Sequence, residues 1–147
     1  MAVLSVSAVR KRVQDQITTS LSAQGWRVSR FVPELFARDT DQIAPRMFSV
    51  GVLSTRPIGD RQRVTTGTVV ETMLSVRFCW RLRADNQVQD YDSGLDAEED
   101  LCAAVMSTSL INLHLRLDLI PDRQVFGDGN WFLGNLIFRA QHRIPLT

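Results

Sequence analysis

Cysteine is nearly missing from this chain: Cys79 and Cys102 stand alone, in neither a metal-binding nor a redox spacing. That excludes a disulfide framework and points to a reducing compartment with two packed thiols. Lysine is scarcer still, because of 17 basic residues all but Lys11 are arginine. Nothing approaches the ~20 consecutive apolar residues that a membrane-spanning helix needs. The start "MAVLSVSAVRKRVQ" lacks a basic segment followed by an apolar run and a small-residue cleavage site, so no secretory signal is read. A soluble protein made in the cytoplasm, with no membrane partner, is expected.

Chemical signatures are missing too. The sequence has no G-x-S-x-G elbow and no G-x-x-x-x-G-K-[ST] or G-x-G-x-x-G phosphate cradle. His114 and His142 sit alone on leucine- and phenylalanine-rich stretches, where metal binding would need clustered ligands. Asp90, Asp92, Gly94 and Asp96 resemble a calcium loop, but the glycine falls one position early and Leu101 occupies the place of the closing glutamate. No metal, cofactor or catalytic residue is therefore expected, and the protein is not read as an enzyme.

What is present suits one folded domain over 1–147. Hydrophobic residues make up 44% and charged residues 22%, and 147 residues bury one sizeable core. The net charge of +1 supplies no field that would gather nucleic acid or an acidic membrane. The arginine excess has two readings, a planar fork suited to interfaces or simply base composition.

Val6, Val9, Val13, Ile17 and Leu21 recur at helical spacing after Ser5 or Ser7 as cap, and Gly25 ends that helix. "WRVSRFVPELFARD" reads as a strand in which Pro33 points to an edge position or a bulge, and "RMFSVGVLS" as a second. The third, "GTVVETMLSVRFCWRLRAD", is the longest. Its alternation places Val70, Thr72, Leu74, Val76, Phe78, Trp80 and Leu82 on a core face. Val69, Glu71, Met73, Ser75, Arg77, Cys79, Arg81 and Arg83 then share the other face. Thr55 to Gly67, with Arg56, Arg61 and Arg63, is a projecting loop or extended hairpin.

A second helix is read in "DYDSGLDAEEDLCAAVMSTSLI", capped by Ser93 with Asp96 as capping-box partner, and its acids fall in the first turns. Leu95, Leu101, Ala104, Val105 and Thr108 form its buried stripe. "NLHLRLDLIPD" predicts a fourth strand, with Leu113, Leu115, Leu117 and Leu119 inward. Gly127 to Asn130 turns it into a fifth, "WFLGNLIFRAQHRI". The fold class that follows is α+β: a mainly antiparallel β-sheet or sandwich, two helices packed on one face, and a long β-hairpin loop.

Nucleic-acid binding is one use for Arg77, Arg81 and Arg83. However, Phe78 and Trp80 have the opposite parity and cannot stack on bases from the same side. Pairing with acids of a neighbouring segment is the simpler role for these arginines.

The layout resembles the tail terminator proteins of long-tailed bacteriophages, the lambda-like tail-completion class. The likeness rests on the helix at "AVRKRVQDQITTSLSA", the hairpin around Thr55 to Gly67, the helix with its lead-in at "VQDYDSGLDAEEDLCAAVMSTSL", and the closing strand "GNWFLGNLIFRAQHRI". It covers nearly the whole chain and carries no short diagnostic motif. The resemblance implies a virion protein that forms a homohexameric ring, caps the tail tube, stops its polymerisation and meets a head-side connector or stopper protein. DNA would only pass through the lumen. A ring of this kind needs two different complementary patches on each subunit. Met73, Ser75 and Cys79 beside Arg77, Arg81 and Arg83 form one candidate patch. Asp90, Asp92, Glu98, Glu99 and Asp100 form the other, and Arg56, Arg61 and Arg63 would reach the next subunit or the tube. A tail tube or stopper subunit is the alternative, and a small nucleic-acid-binding module the third.

Overall fold

A computed structural model describes residues 1–36, 43–58, 67–118 and 122–145. The first helix, α1 (Val6–Leu21), starts where Ser5 Oγ accepts a hydrogen bond from the Ala8 amide, and it buries Val9, Val13, Ile17 and Leu21. A short 3-10 turn then ends on Gly25 at φ 85, a left-handed backbone that glycine adopts without a Cβ penalty. Strand β1 (Arg27–Val28) is followed by β2 (Met47–Pro57), β3 (Thr68–Arg81), helix α2 (Gln87–Val105), β4 (Arg116–Leu117), β5 (Asp122–Phe126) and β6 (Trp131–Ile144). The sheet order is β1-β2-β3-β6-β4, with β5 also on β6. All pairings between these strands are antiparallel except β1 with β2, and an isolated parallel bridge joins Val3 to Arg143 of β6. The expected class therefore holds: a largely antiparallel six-stranded sheet with both helices on one face.

That helix face is the core. Phe48 and Val50 of β2, Leu74, Val76 and Phe78 of β3, and Phe132, Leu136 and Phe138 of β6 close on the buried stripe of α1 and on Leu101, Ala104 and Val105 of α2. The parity predicted for β3 is correct from Val70 to Phe78, and Leu82 beyond the strand is buried as well. Each fully buried aliphatic or aromatic side chain contributes roughly 1.5–3 kcal/mol by leaving water. Gly134 lies directly opposite Phe78 in the ladder. A Cβ built at Gly134 would stand 2.1 Å from Phe78 Cε1, so the ring occupies the space a side chain would fill.

Several expectations need correction. The stretch after Trp26 is a strand for only two residues, because the Ser29 hydroxyl accepts from the Phe31 amide and Pro33 begins a 3-10 turn. The chain is bent off the sheet there, although the edge position holds. Helix α2 begins at Gln87 behind Asn86, so Ser93 lies inside it and caps nothing. At Gly94, within the helix, a Cβ would meet Phe132 and Trp80 at 3.1 and 3.2 Å, so its hydrogen lets the helix approach the sheet. Asp96, Glu98, Glu99 and Asp100 are consequently mid-helix, and only Asp90 is in the first turn. Leu95 is half-buried, and Thr108 lies exposed beyond the helix end.

The predicted fourth strand breaks up in the same way. Thr108–Leu113 is a 3-10 turn ending at His114 with φ 46, and among the described residues before β5 only Arg116–Leu117 pairs with β6. Leu113 reaches the core, Leu115 only its margin, and Leu117 is exposed; Leu119 lies outside the described residues. The Gly127–Asn130 turn is present, joining β5 to β6. The hairpin is also longer than expected. Thr55, Arg56 and Pro57 are strand, opposite Thr72, Glu71 and Val70.

His142 is fully buried on the core face. Its Nδ1 donates to Leu4 O at 2.9 Å, so Nε2 accepts from the Thr72 hydroxyl at 2.7 Å, and Thr72 in turn contacts Thr55 Oγ1 at 3.1 Å. Burial holds this imidazole below the ordinary histidine value of 6.5, against hydrogen bonds at Leu4 and Arg143 that raise it. Below that value the unfolded chain takes up a proton that the folded chain resists, so stability is complete above it and is lost as pH falls through the folded value. Urea midpoints recorded across this range should fall on acidification, and His142→Gln should flatten that part of the profile. An unchanged slope in the variant would show that His142 is not the group.

Candidate functional site on the outer sheet face

The outer face of β3, with Met73, Ser75 and Cys79 beside Arg77, Arg81 and Arg83, was expected to form a patch for another subunit. At its Cys79 end the chain itself covers it: Phe36, Cys79 and Trp131 form a second small core with Ile43, Met47, Phe126 and Leu133. Pro33 sits so close over Gly51 that a Cβ there would lie 2.9 Å from the ring. Arg77 donates to Pro33 O at 3.3 Å, which ties the covering segment to the sheet. Burial pushes the Cys79 thiol up to about 12, leaving it protonated and unreactive.

Past Ser75, whose hydroxyl donates to Asn135 Oδ1 at 2.6 Å, the face becomes ionic. Glu71 is its centre, with a side chain only 7% exposed. Arg56 of β2 reaches it at 2.8 Å, Arg139 of β6 at 3.0 Å and Arg116 of β4 at 3.6 Å. Arg139 also meets Asp118 at 2.5 Å. Burial alone would raise the Glu71 carboxyl. The Arg56 hydrogen bond and the charges of Arg139, Arg56 and Arg116 outweigh it and hold the group below its ordinary 4.5.

The residues predicted to form two patches do not gather as predicted. Arg83 and Asp90, assigned to opposite partners, bind each other: Asp90 accepts from the Arg83 amide at 2.8 Å and from its guanidinium at 2.9 and 3.0 Å. Those hydrogen bonds from Arg83 hold the Asp90 carboxyl below its ordinary range, against a smaller opposing effect of burial. Glu98 is likewise held by Arg123 of β5 at 2.6 and 3.1 Å. Arg81 lies over the Trp131 ring, 5.8 Å from its centroid. Met73 is half-buried mid-face, while Arg56, Asp92 and Glu99 are exposed. Arg61 and Arg63 lie outside the described residues. Arg116, Asp118 and Arg139 were passed over in the sequence. The available signal was Glu71 itself, one acid on a strand face otherwise without one, for which strands on either side had to supply cations.

At the β1–β2 edge a groove of about 610 Å³ runs beside β2, between Arg10 and Gln14 of α1 and Val28, Val32 and Pro33 of the covering segment. β1 has ended there, and Arg10 Nη1 reaches the Val50 carbonyl at 3.3 Å in place of a neighbouring strand. Among the described residues no three of His, Cys, Asp and Glu stand close enough to hold a metal ion. No described helix is long and apolar enough to cross a membrane. Comparison of the sequence with models of known protein families and with curated proteins finds no match.

Proposed function

We propose that this chain is a phage tail terminator-type subunit, a virion protein that closes into a homohexameric ring, caps the tail tube and joins it to a head-side connector or stopper protein. The observation that carries this reading is a sheet backed by helices on one face, with a long β2–β3 hairpin and two unlike open edges. Unlike edges suit a ring, which closes by one heterologous contact repeated around an axis. Arg61 and Arg63, in the segment that adjoins Arg56, are the part offered to an acidic surface of the tube or connector; Arg56 itself is 63% exposed but already donates to Glu71. Among the described residues Asp92 and Glu99 have no ion pair of the kind that holds Asp90 and Glu98, and they can serve a partner's arginine.

The nucleic-acid reading loses support. Phe78 is wholly buried, and Arg77, Arg81 and Arg83 are each engaged within the chain. Light scattering on the purified chain, followed by electron microscopy of the chain mixed with assembled tail tubes, tests the proposal. A hexamer mass, or a monomer that forms a ring at one tube tip and stops growth there, is expected. Bare tips with unaltered tube growth reject it, and tight, salt-sensitive DNA binding would favour the nucleic-acid module instead.

A further inference from the structure

We infer that the ring closes face to back: the arginine-bearing outer face of the sheet in one copy receives the acidic stripe of helix α2 from the next. This rests on the ring reading and names the contact that makes the ring. The receiving face lies at the hairpin end of the sheet. Arg56, Arg116 and Arg139 converge on Glu71 there, and Arg139 also meets Asp118. Arg143, on β6 beyond Arg139, shares their side of the sheet by strand parity. Four arginines over two acids leave two positive charges uncompensated. The acids form the floor, with side chains 7% and 10% exposed, whereas Arg56 and Arg116 stand well out into solvent. A guanidinium has more donors than one carboxylate oxygen can take. Arg56 turns Nε and Nη2 to Glu71, and Arg116 approaches it only through Nη2, at 3.6 Å. An approaching molecule therefore meets a cationic surface whose side chains are already held in place, which lessens the entropy lost on binding.

Charge makes a second copy the occupant. Helix α2 carries no arginine or lysine. Its acids Asp92, Asp96, Glu99 and Asp100 are exposed at spacings of three and four, on the stripe that faces away from its own sheet. Like charges at that spacing weaken a helix, and among the described residues none of the four has an ion pair. Arg46 lines the same hollow as Asp96 and Asp100, yet it donates to Gln24 O and lies over the Trp80 ring, 5.1 Å from its centroid. Dimensions agree as well. At ~1.5 Å per residue the stripe from Asp92 to Asp100 is about 12 Å long. The arginine face measures about 14 Å from Arg56 on β2 across to Arg116 on β4, and about 13 Å from Arg139 to Arg143 along β6. Helix α1 cannot take the place of α2, because it exposes Lys11 and Arg12, which the arginines would repel.

The two surfaces lie on opposite faces of the sheet, since α2 packs on the core side. A two-fold pair would have to present both surfaces of each copy on one side, so a dimer cannot satisfy them. Assembly continues from copy to copy until it closes.

Reversing one surface at a time tests the contact. Asp96→Arg with Asp100→Arg turns the stripe basic, and Arg116→Glu with Arg143→Glu turns the face acidic. Circular dichroism and thermal melts check that both fold; Arg116→Gln with Arg143→Gln is the milder replacement for the second. Each variant alone should lose the ring, in light scattering and at tube tips. Mixed in equal amounts, the two charge-reversed variants should form it again, because every contact then joins opposite charges in alternation. Asp15→Arg with Asp85→Arg makes the same change of charge off the stripe and should keep the ring. Rings in either reversed variant, or a loss that mixing does not restore, overturn the face assignment and leave the ring reading standing. Loss of the ring in the off-stripe variant would trace the effect to net charge and also overturn it. DNA binding abolished by the arginine changes alone would give this face to nucleic acid instead. If the unmodified chain stays monomeric with and without tubes, the ring reading itself falls.

Discussion

Gly134→Ala should be among the most damaging single-methyl changes in the molecule, destabilising it by about 3 kcal/mol, at the upper end of ordinary overpacking. For a chain of this size that lowers the melting temperature by about 10 °C. The new methyl would lie 2.1 Å from Phe78 Cε1 and 2.4 Å from Cζ. Phe78 cannot turn aside, because Trp26 and Phe132 hold its ring at centroid distances of 5.7 and 5.8 Å. Either the backbone of β6 shifts, straining the ladder on both sides, or the ring leaves its rotamer. Phe78→Leu alone should also destabilise, by leaving a void. Combined with Gly134→Ala it should recover part of the loss, since the methyl then fills space that the ring has vacated. Thermal melts of the two single variants and the double variant give the coupling directly. If the losses simply add, the explanation by steric exclusion is wrong.

Glu71→Leu should cost a similar amount, about 3 kcal/mol, at the lower end of what removing one partner of a buried ion pair costs. The lower end applies because Arg56 and Arg116 are well exposed and can rehydrate, whereas Arg139 is 22% exposed and keeps only Asp118. Glu71→Gln should cost less, because an amide oxygen still accepts from Arg56. Glu71→Leu with Arg139→Met should return only part of the stability, because it removes the stranded arginine but leaves Asp118, whose side chain is 10% exposed, without that partner. Acid provides a second check. The Glu71 carboxyl is held below 4.5, so its contribution is complete above that value and is lost as pH falls through the folded value. Chemical unfolding across this acid range should show a steeper loss in the parent than in the double variant. Equal slopes would mean that the cluster does not couple folding to protonation.

The elements that the sequence displays plainly are those with one wet and one dry side. α1 and β3 announce themselves because a stripe at spacings of three and four, or a strict alternation, is what burial on one face requires. Where packing is set by a distant residue the pattern misleads. Ser93-Gly94 looks like punctuation only until Trp80 and Phe132 are found pressing on the glycine. The leucines from Leu113 to Leu119 alternate as a strand would, yet His114 takes a left-handed backbone and Leu117 ends up at an exposed edge. The candidate site was least legible. Glu71, Arg139 and Arg116 are contributed by three strands far apart in sequence, and only the register of the sheet brings them within reach of one another.

β3 and β6 are paired from Thr68 with Ile144 to Arg81 with Trp131 without a slip, and each strand has 14 residues. At ~3.3 Å per residue the two form an unbroken run of about 45 Å. Opposing forces on these two strands along their length load this seam in shear, where its rungs must fail together and cannot open one by one from an end. In the ring proposed above, load along the strands would pass through this seam.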